Sequence, residues 1–321
     1  MFKQLARATR AFGTNNRVGV FGLGNMGLPM ALNLQKNGYE VKGYDVSPAG
    51  LERAAAAGIK VSDCYKSTAQ DVDYIVTALP VTAHVDETLH REGGIFEVAN
   101  KGTYICDAST ISPDASVRFG TKAKEVGMTF LDTPMSGGIN GAKAGTLTFM
   151  VGGTEADKDA VTPLLKGMGK NIFHCGPSGT GGVAKLTNNL ILGISMVATA
   201  EAMAIGEKLG ADPKVLTNIW AVSTARCHSV DAYSPRPDVL PNVPSSNNYD
   251  GGFAVALIRK DLGLAMDAAK VANAEYGLTQ NAFDYYAEIE KQGYAKKDFS
   301  IVYQYLMNHN DMAQSGIKKP E

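Results

Sequence analysis

Residues 17–45, RVGVFGLGNMGLPMALNLQKNGYEVKGYD, constrain the fold more than any other stretch. Arg17 to Phe21 is a short β-rich run, and Gly22, Gly24 and Gly27 follow it as GxGxxG. An apolar pattern of helical period then runs through Met26, Met30 and Leu34, and Asn37-Gly38 stops it. A second β-rich run ends in Asp45, about 20 residues beyond the glycines. Glycines between a strand and a helix, with an acid at that distance, form the dinucleotide-binding arrangement. Gly22 permits the tight turn, Gly24 lets backbone approach a pyrophosphate, and Gly27 lets the helix pack close to the strand. The helix start offers N–H groups and the positive end of its dipole to phosphate. Gly22, Leu23, Gly24, Asn25, Met26 and Gly27 are therefore candidate cofactor-binding residues. Asp45 can accept from ribose hydroxyls and would repel a 2′-phosphate, which favours NAD over NADP.

Alternation of strands and helices continues. VDYIVTALP (72–80) is a buried strand ending in Leu79-Pro80. TYICDASTISP holds a strand to Asp107, a turn with Ser109 and Thr110, and a helix from Pro113. MTFLDTPMSGG is a further strand ending near Asp132. The expected fold class is α/β: an N-terminal Rossmann-type doubly wound parallel sheet. Ligands of such sheets bind beyond the C-terminal strand ends, so Leu79, Pro80, Ser109, Thr110 and the 134–138 turn should share a crevice with the glycines. Thr110 is the candidate cofactor contact there; capping of the next helix is the alternative role for Ser109 or Thr110. The stretch 132–153 reads as too rich in glycine for a helix or a central strand. Within it, Ser136, Gly137 and Gly138 suit either a small anion nest or a flexible loop.

After residue 179 the pattern becomes helical. Residues 180–209 contain no proline and read as one long helix, with more helices expected at 213–221, 256–275, 278–291 and 298–307. The second domain is therefore all-α, joined to the first by the long helix. Near its start, GTGGVAKLTNN places Lys185 and Asn189 on one helix face, with Asn188 at its edge. A lysine entering an apolar region is costly unless it serves a polar site. The domain boundaries expected are 17–178 for the NAD-binding domain and 179–321 for the helical substrate and oligomerisation domain.

The formal net charge of -1 offers no basic field for nucleic acid. No apolar run reaches the roughly 18–20 residues of a membrane span. Cys64, Cys106, Cys175 and Cys227 are far apart in sequence and suggest neither a disulfide framework nor a zinc site. His174, His228 and His309 have no metal-ligand spacing, so no metal is expected. Residues 1–16 carry Lys3, Arg7 and Arg10 among Phe2, Leu5 and Phe12, with no acid before Glu40, which fits a mitochondrial leader. The proline-bearing segment 227–253 is long for a connection and reads as a fixed functional loop.

The segments FGLGNMG, TALP, DASTISP, DTPMSGGINGAKAGTLTFMVGG, GTGGVAKLTNN and FAVALIRKDLGLA occur in the order seen in the β-hydroxyacid dehydrogenases, and the chain resembles that family from residue 17 to about 308. The 227–253 loop and GYAKKDFSIVYQYL look most like its members that oxidise 3-hydroxyisobutyrate. The resemblance implies that Lys185 and Asn189 are catalytic and that Ser136, Gly137 and Gly138 hold a substrate carboxylate. It also implies that Leu79, Pro80, Thr110 and Lys260 touch NAD. The chain departs from the family at His84, where relatives often carry asparagine; His84 reads as a helix-face residue. The expected partners are a small β-hydroxy acid and further copies of the chain, as a homodimer or homotetramer. The expected location is the mitochondrial matrix.

Overall fold

The computed structural model describes residues 16–62 and 64–320. The leader expected at 1–16 lies outside the described residues, Asn16 apart. Two compact units divide between Gly182 and Val183.

The first unit is built on one sheet. Its parallel part runs β3 (Lys60–Val61), β2 (Glu40–Tyr44), β1 (Arg17–Phe21), β4 (Tyr74–Thr77), β5 (Tyr104–Asp107) and β6 (Thr129–Asp132). The order reverses at β1, which pairs with both β2 and β4. Such a reversal leaves a crevice beyond the strand ends. Side chains alternate between faces, as strand geometry requires. Val18, Val20, Val76, Cys106 and Leu131 enter one core with Met30 and Leu34 of the Gly27–Lys36 helix. Phe21, Ile75, Ile105 and Phe130 enter the other core with Val85, Leu89 and Phe119.

The sheet does not stop at β6. β7 (Met135–Ser136) and β8 (Leu147–Gly152) join it antiparallel, and β9 (Gly169–Gly176) pairs with β8. This corrects the expectation that 132–153 excludes both helix and central strand. The interior of β8 before Gly152 holds no glycine, whereas the short helix over Gly138–Ala144 accommodates Gly141 at its centre. Gly145, at φ +66°, ends a helix over Gly138–Ala144, and Leu147, Phe149 and Val151 then bury alternate positions. Averaging glycine over the whole window hides that alternation.

The second unit is helical. It contains most of the 29-residue Thr180–Lys208 helix, about 44 Å long. The helix is apolar and long enough to cross a bilayer by length and composition. Here Met196, Val197, Ala200, Met203 and Ala204 are instead part of the unit's core, packed with Ile258, Leu262, Tyr286 and Phe299. The other helices are Pro213–Val222, Val255–Val271, Gly277–Ile289 and Val302–Met307. Two end short of expectation: Asn273 turns left-handed after one, and a π turn with Gly293 at φ +98° follows another.

Segment 227–253 is packed within the second unit. Tyr249 is fully buried and its hydroxyl donates to Pro235 O at 2.9 Å. Buried Asp298 accepts from Tyr233 Oη and from Phe253 N, both at 2.7 Å. These bonds make the loop a fixed piece of the helical domain.

Candidate active site

At the end of β1 two glycines of the turn are placed under different constraints. A Cβ on Gly27 would lie 1.8 Å from Gly22 O, so only glycine lets the helix approach. A Cβ on Gly24 would meet nothing within 4 Å. Packing therefore requires Gly27 to be glycine, whereas Gly24 faces open space. Leu23 is fully buried, so anything it offers a cofactor is backbone. Its N–H donates to Asp45 Oδ2 at 2.6 Å, and Ser47 N donates to Oδ1 at 2.8 Å. Asp45 thus holds the glycine turn while lying at the strand end where a ribose would sit. This set of residues fits NAD.

The next strand ends are tied by two buried aspartates at paired positions on β5 and β6, Asp107 and Asp132. Asp107 Oδ1 accepts from Thr77 Oγ1 at 2.7 Å and from Ser109 N at 3.1 Å. Ser109 Oγ accepts in turn from Leu79 N at 2.9 Å. Ser109 therefore braces the Leu79-Pro80 strand end. It does not cap the next helix, whose N-cap is Ser112. Thr110 follows directly and is half-buried; Pro80 is exposed. Burial pushes the Asp107 carboxyl up to about 6, against the pull of its hydrogen bonds from Ser109 and Thr77.

Asp132 explains the glycines before Lys185. Its Oδ1 accepts from Gly179 N at 2.7 Å and its Oδ2 from Gly182 N at 2.9 Å, and the Gly181 amide is also turned to it. A Cβ on Gly181 would approach Oδ2 to 2.8 Å and Met150 O to 2.4 Å. The long helix thus begins on a carboxylate supplied from β6, with its dipole and otherwise unpaired amides satisfied. Burial raises the Asp132 carboxyl above its ordinary range, partly offset by these amides.

Ser136 ends β7, paired with Thr148 of β8. Gly137 and Gly138 follow at φ +137° and +61° and are exposed. Both values lie where side chains are strained, so the turn depends on glycine.

In the second unit, Lys185 and Asn189 lie on one face of the long helix, both buried. Lys185 Nζ donates to Asn189 Oδ1 at 3.0 Å, and Asn188 Nδ2 donates to the same oxygen at 3.0 Å. Asn189 Nδ2 donates to Asp261 Oδ2 at 2.5 Å. Lys260 Nζ lies 2.9 Å from Asp261 Oδ1 as an ion pair. Burial pulls Lys185 down to about 8; Asp261 opposes that fall and Lys260 adds to it. A lysine so placed exchanges protons near neutral pH.

Sequence reasoning missed Asp107, Asp132 and Asp261. For Asp261 a signal existed, since it shares a buried face with Ile258, Leu262 and Ala265. An acid in an apolar helical register requires a partner. His84 is exposed on the Thr82–His90 helix, as a helix-face residue should be.

Comparison with known proteins bears on this constellation. Residues 17–176 match the family described as the NAD binding domain of 6-phosphogluconate dehydrogenase, and residues 179–306 match that described as NAD-binding of NADP-dependent 3-hydroxyisobutyrate dehydrogenase. A probable mitochondrial 3-hydroxyisobutyrate dehydrogenase of Dictyostelium discoideum is 45% identical, over 91% of this chain and 91% of that protein. The chain belongs to the 3-hydroxyisobutyrate dehydrogenase family. An NAD-dependent L-serine dehydrogenase of Pseudomonas aeruginosa is 40% identical, over 89% of this chain and 96% of its own. The solved structure of Mycobacterium tuberculosis 3-hydroxyisobutyrate dehydrogenase with L-serine superposes with a TM-score of 0.85 at 37% identity, covering 91% of this chain and 99% of that one. Membership makes the chain an NAD-dependent dehydrogenase of the β-hydroxyacid group, with a Rossmann-type domain followed by a helical one.

Proposed function

We propose that this dehydrogenase catalyses the reversible oxidation of 3-hydroxyisobutyrate to methylmalonate semialdehyde, the step that substrate occupies in valine breakdown. The observation that carries the reading is the buried Lys185–Asn189 pair, with Lys185 pulled down to about 8. Gly22 to Gly27, Asp45, Leu79, Pro80, Thr110 and Lys260 face the cofactor. Ser136 and the amides of Gly137 and Gly138 hold the substrate carboxylate, which fixes the alcohol carbon. Bound NAD+ supplies the hydride acceptor. Lys185, as the free amine, takes the hydroxyl proton, and as ammonium returns it in the reverse direction. Both polar atoms of the Asn189 amide are engaged within the protein. Asn189 so aims Nζ, and the second N–H of its amide, beside the one given to Asp261, helps hold the substrate hydroxyl oxygen.

L-Serine is the second reading, favoured by the serine dehydrogenase relative and the serine-bearing structure. It too carries a CH2OH group β to a carboxylate and differs in bearing an ammonium where hydroxyisobutyrate has a methyl. Initial rates with 3-hydroxyisobutyrate, L-serine, glycerate, 3-hydroxypropionate and 4-hydroxybutyrate, each with NAD+ and NADP+, separate the readings. The highest kcat/KM is expected for 3-hydroxyisobutyrate with NAD+. Preference for serine moves the substrate, and preference for NADP+ removes the role given to Asp45.

A mitochondrial matrix location is supported by the names of the relatives and by the Arg-bearing start of the chain. Loss of import on replacing Arg7 and Arg10 by glutamate is its test. A homodimer or homotetramer is supported by the exposed Ile205, Leu209, Val215, Ile219 and Val222 of the helical unit. A monomeric mass by light scattering would exclude it.

A further inference from the structure

We infer that Asp107 and Ser109 are positioning residues for the cofactor: they lock the strand end at Leu79 to the turn at Thr110, so that the NAD-facing edge is set before NAD arrives. The inference rests on the reading that Leu79, Pro80 and Thr110 face the cofactor.

The atoms leave little choice of arrangement. Leu79 N–H can only donate, and it donates to Ser109 Oγ at 2.9 Å. Asp107 Oδ1 in turn receives Ser109 N at 3.1 Å and Thr77 Oγ1 at 2.7 Å. Asp107 thus gathers a β4 side chain and the Ser109 amide, while the Ser109 hydroxyl oxygen returns to the β4 strand end at Leu79 N. The loop closes through Thr77, Asp107, Ser109 and Leu79, within four residues of chain on each strand. Asp107, Thr77 and Ser109 are buried, and Ala108 N donates to Thr77 O at 2.8 Å as a last ladder bond beside them. Water cannot substitute for these partners without opening the sheet edge.

Asp107 Oδ2 is buried without a hydrogen-bond partner among the described residues. A core that needed only a satisfied polar group would not bury half of a carboxylate in this way. The other oxygen, Oδ1, brings Thr77 Oγ1 and Ser109 N together. That cost is understandable if the acid's task is to fix Ser109, and through it the next strand end. Pre-setting a binding edge lowers the ordering cost when ligand binds.

The test is titration of NADH fluorescence on Ser109→Ala, Asp107→Asn and Asp107→Ala, with steady-state kinetics beside it. Ser109→Ala and Asp107→Ala should each raise the NADH Kd and the KM for NAD+ about tenfold. At saturating NAD+, kcat and the hydroxy-acid KM should stay within about twofold. Asp107→Asn, which keeps the Oδ1 acceptor, should restore part of the loss. Ser109→Ala combined with Asp107→Ala should be little worse than either alone, because both remove one linked unit. In the cofactor-free protein, Ser109→Ala should also speed hydrogen exchange of the Leu79 amide. An NADH Kd within twofold of the parent for Ser109→Ala, or a fall in kcat with KM unmoved, overturns the inference. Thr110→Val separates the two levels. If it weakens NADH binding while Ser109→Ala does not, the turn faces the cofactor but is not positioned by Ser109. If neither weakens binding, the cofactor-facing reading of this edge fails and takes the inference with it. Should Asp107→Ala not fold, Ser109→Ala and the exchange measurement still decide.

Discussion

Asn189 has one orientation open to it: with Nδ2 2.5 Å from Asp261 Oδ2, its carbonyl oxygen is left facing Lys185 Nζ at 3.0 Å. A carboxylate only accepts, so Asp261 fixes which end of the amide meets the lysine. An amide turned the other way would place N–H groups against the lysine nitrogen and oxygen against oxygen. Asp261 therefore acts on Lys185 twice, through the Asn189 hydrogen bond and through its charge.

The two effects separate by mutation. In the parent, alcohol oxidation should rise with pH, be half-maximal near pH 8 and level off above it, because the free amine of Lys185 is the active form. The reverse reduction should fall over the same range. Asp261→Asn keeps an acceptor for Asn189 but removes the charge that favours the ammonium. Its oxidation profile should level off at lower pH than the parent's. Asp261→Ala also releases Asn189 and should lower kcat on the order of tenfold or more. Superimposable pH profiles for parent and Asp261→Asn would exclude the electrostatic part.

Two glycines of the same turn should fail in different ways. Gly24→Ala places its methyl in open space, so thermal unfolding should change by no more than about 1 kcal/mol. NADH binding should nevertheless weaken sharply. Gly27→Ala drives a methyl into the Gly22 carbonyl and should cost about 3 kcal/mol or more, or prevent folding. Calorimetry and NADH titration on the pair check this. A destabilised Gly24→Ala would mean that packing, not ligand approach, requires that glycine.

Asp132→Ala strips the acceptor from the amides that open the long helix. Unmade buried hydrogen bonds cost about 1–3 kcal/mol per group, so a loss of about 3 kcal/mol or more is expected in denaturant unfolding. Asp132→Asn keeps one acceptor and should lose less. Equal stability of Asp132→Ala and the parent would show that the helix start finds other partners.

Much of this was legible in the chain because local chemistry and fold agreed. Gly22 to Gly27 lie between a strand and a helix in sequence and in structure, and the long helix from Thr180 appears with the expected Lys185–Asn189 face. What was not legible depended on partners far apart in sequence. Asp132 reads as the last residue of a strand, and only the fold brings it under Gly179 and Gly182, some 47 and 50 residues on. Asn189 and Asp261 are separated by 72 residues. Strand β8 was missed for another reason: glycines on either side of Leu147–Val151 outweighed a short alternating pattern whose burial comes from sheet neighbours.

The most direct measurement is kcat of Lys185→Ala for 3-hydroxyisobutyrate oxidation, with NADH affinity and unfolding measured on the same preparation. Loss of kcat by about a thousandfold, with NADH Kd and stability close to the parent's, is the predicted result. A variant that folds, binds NADH and retains kcat within about tenfold of the parent would contradict the role given to Lys185.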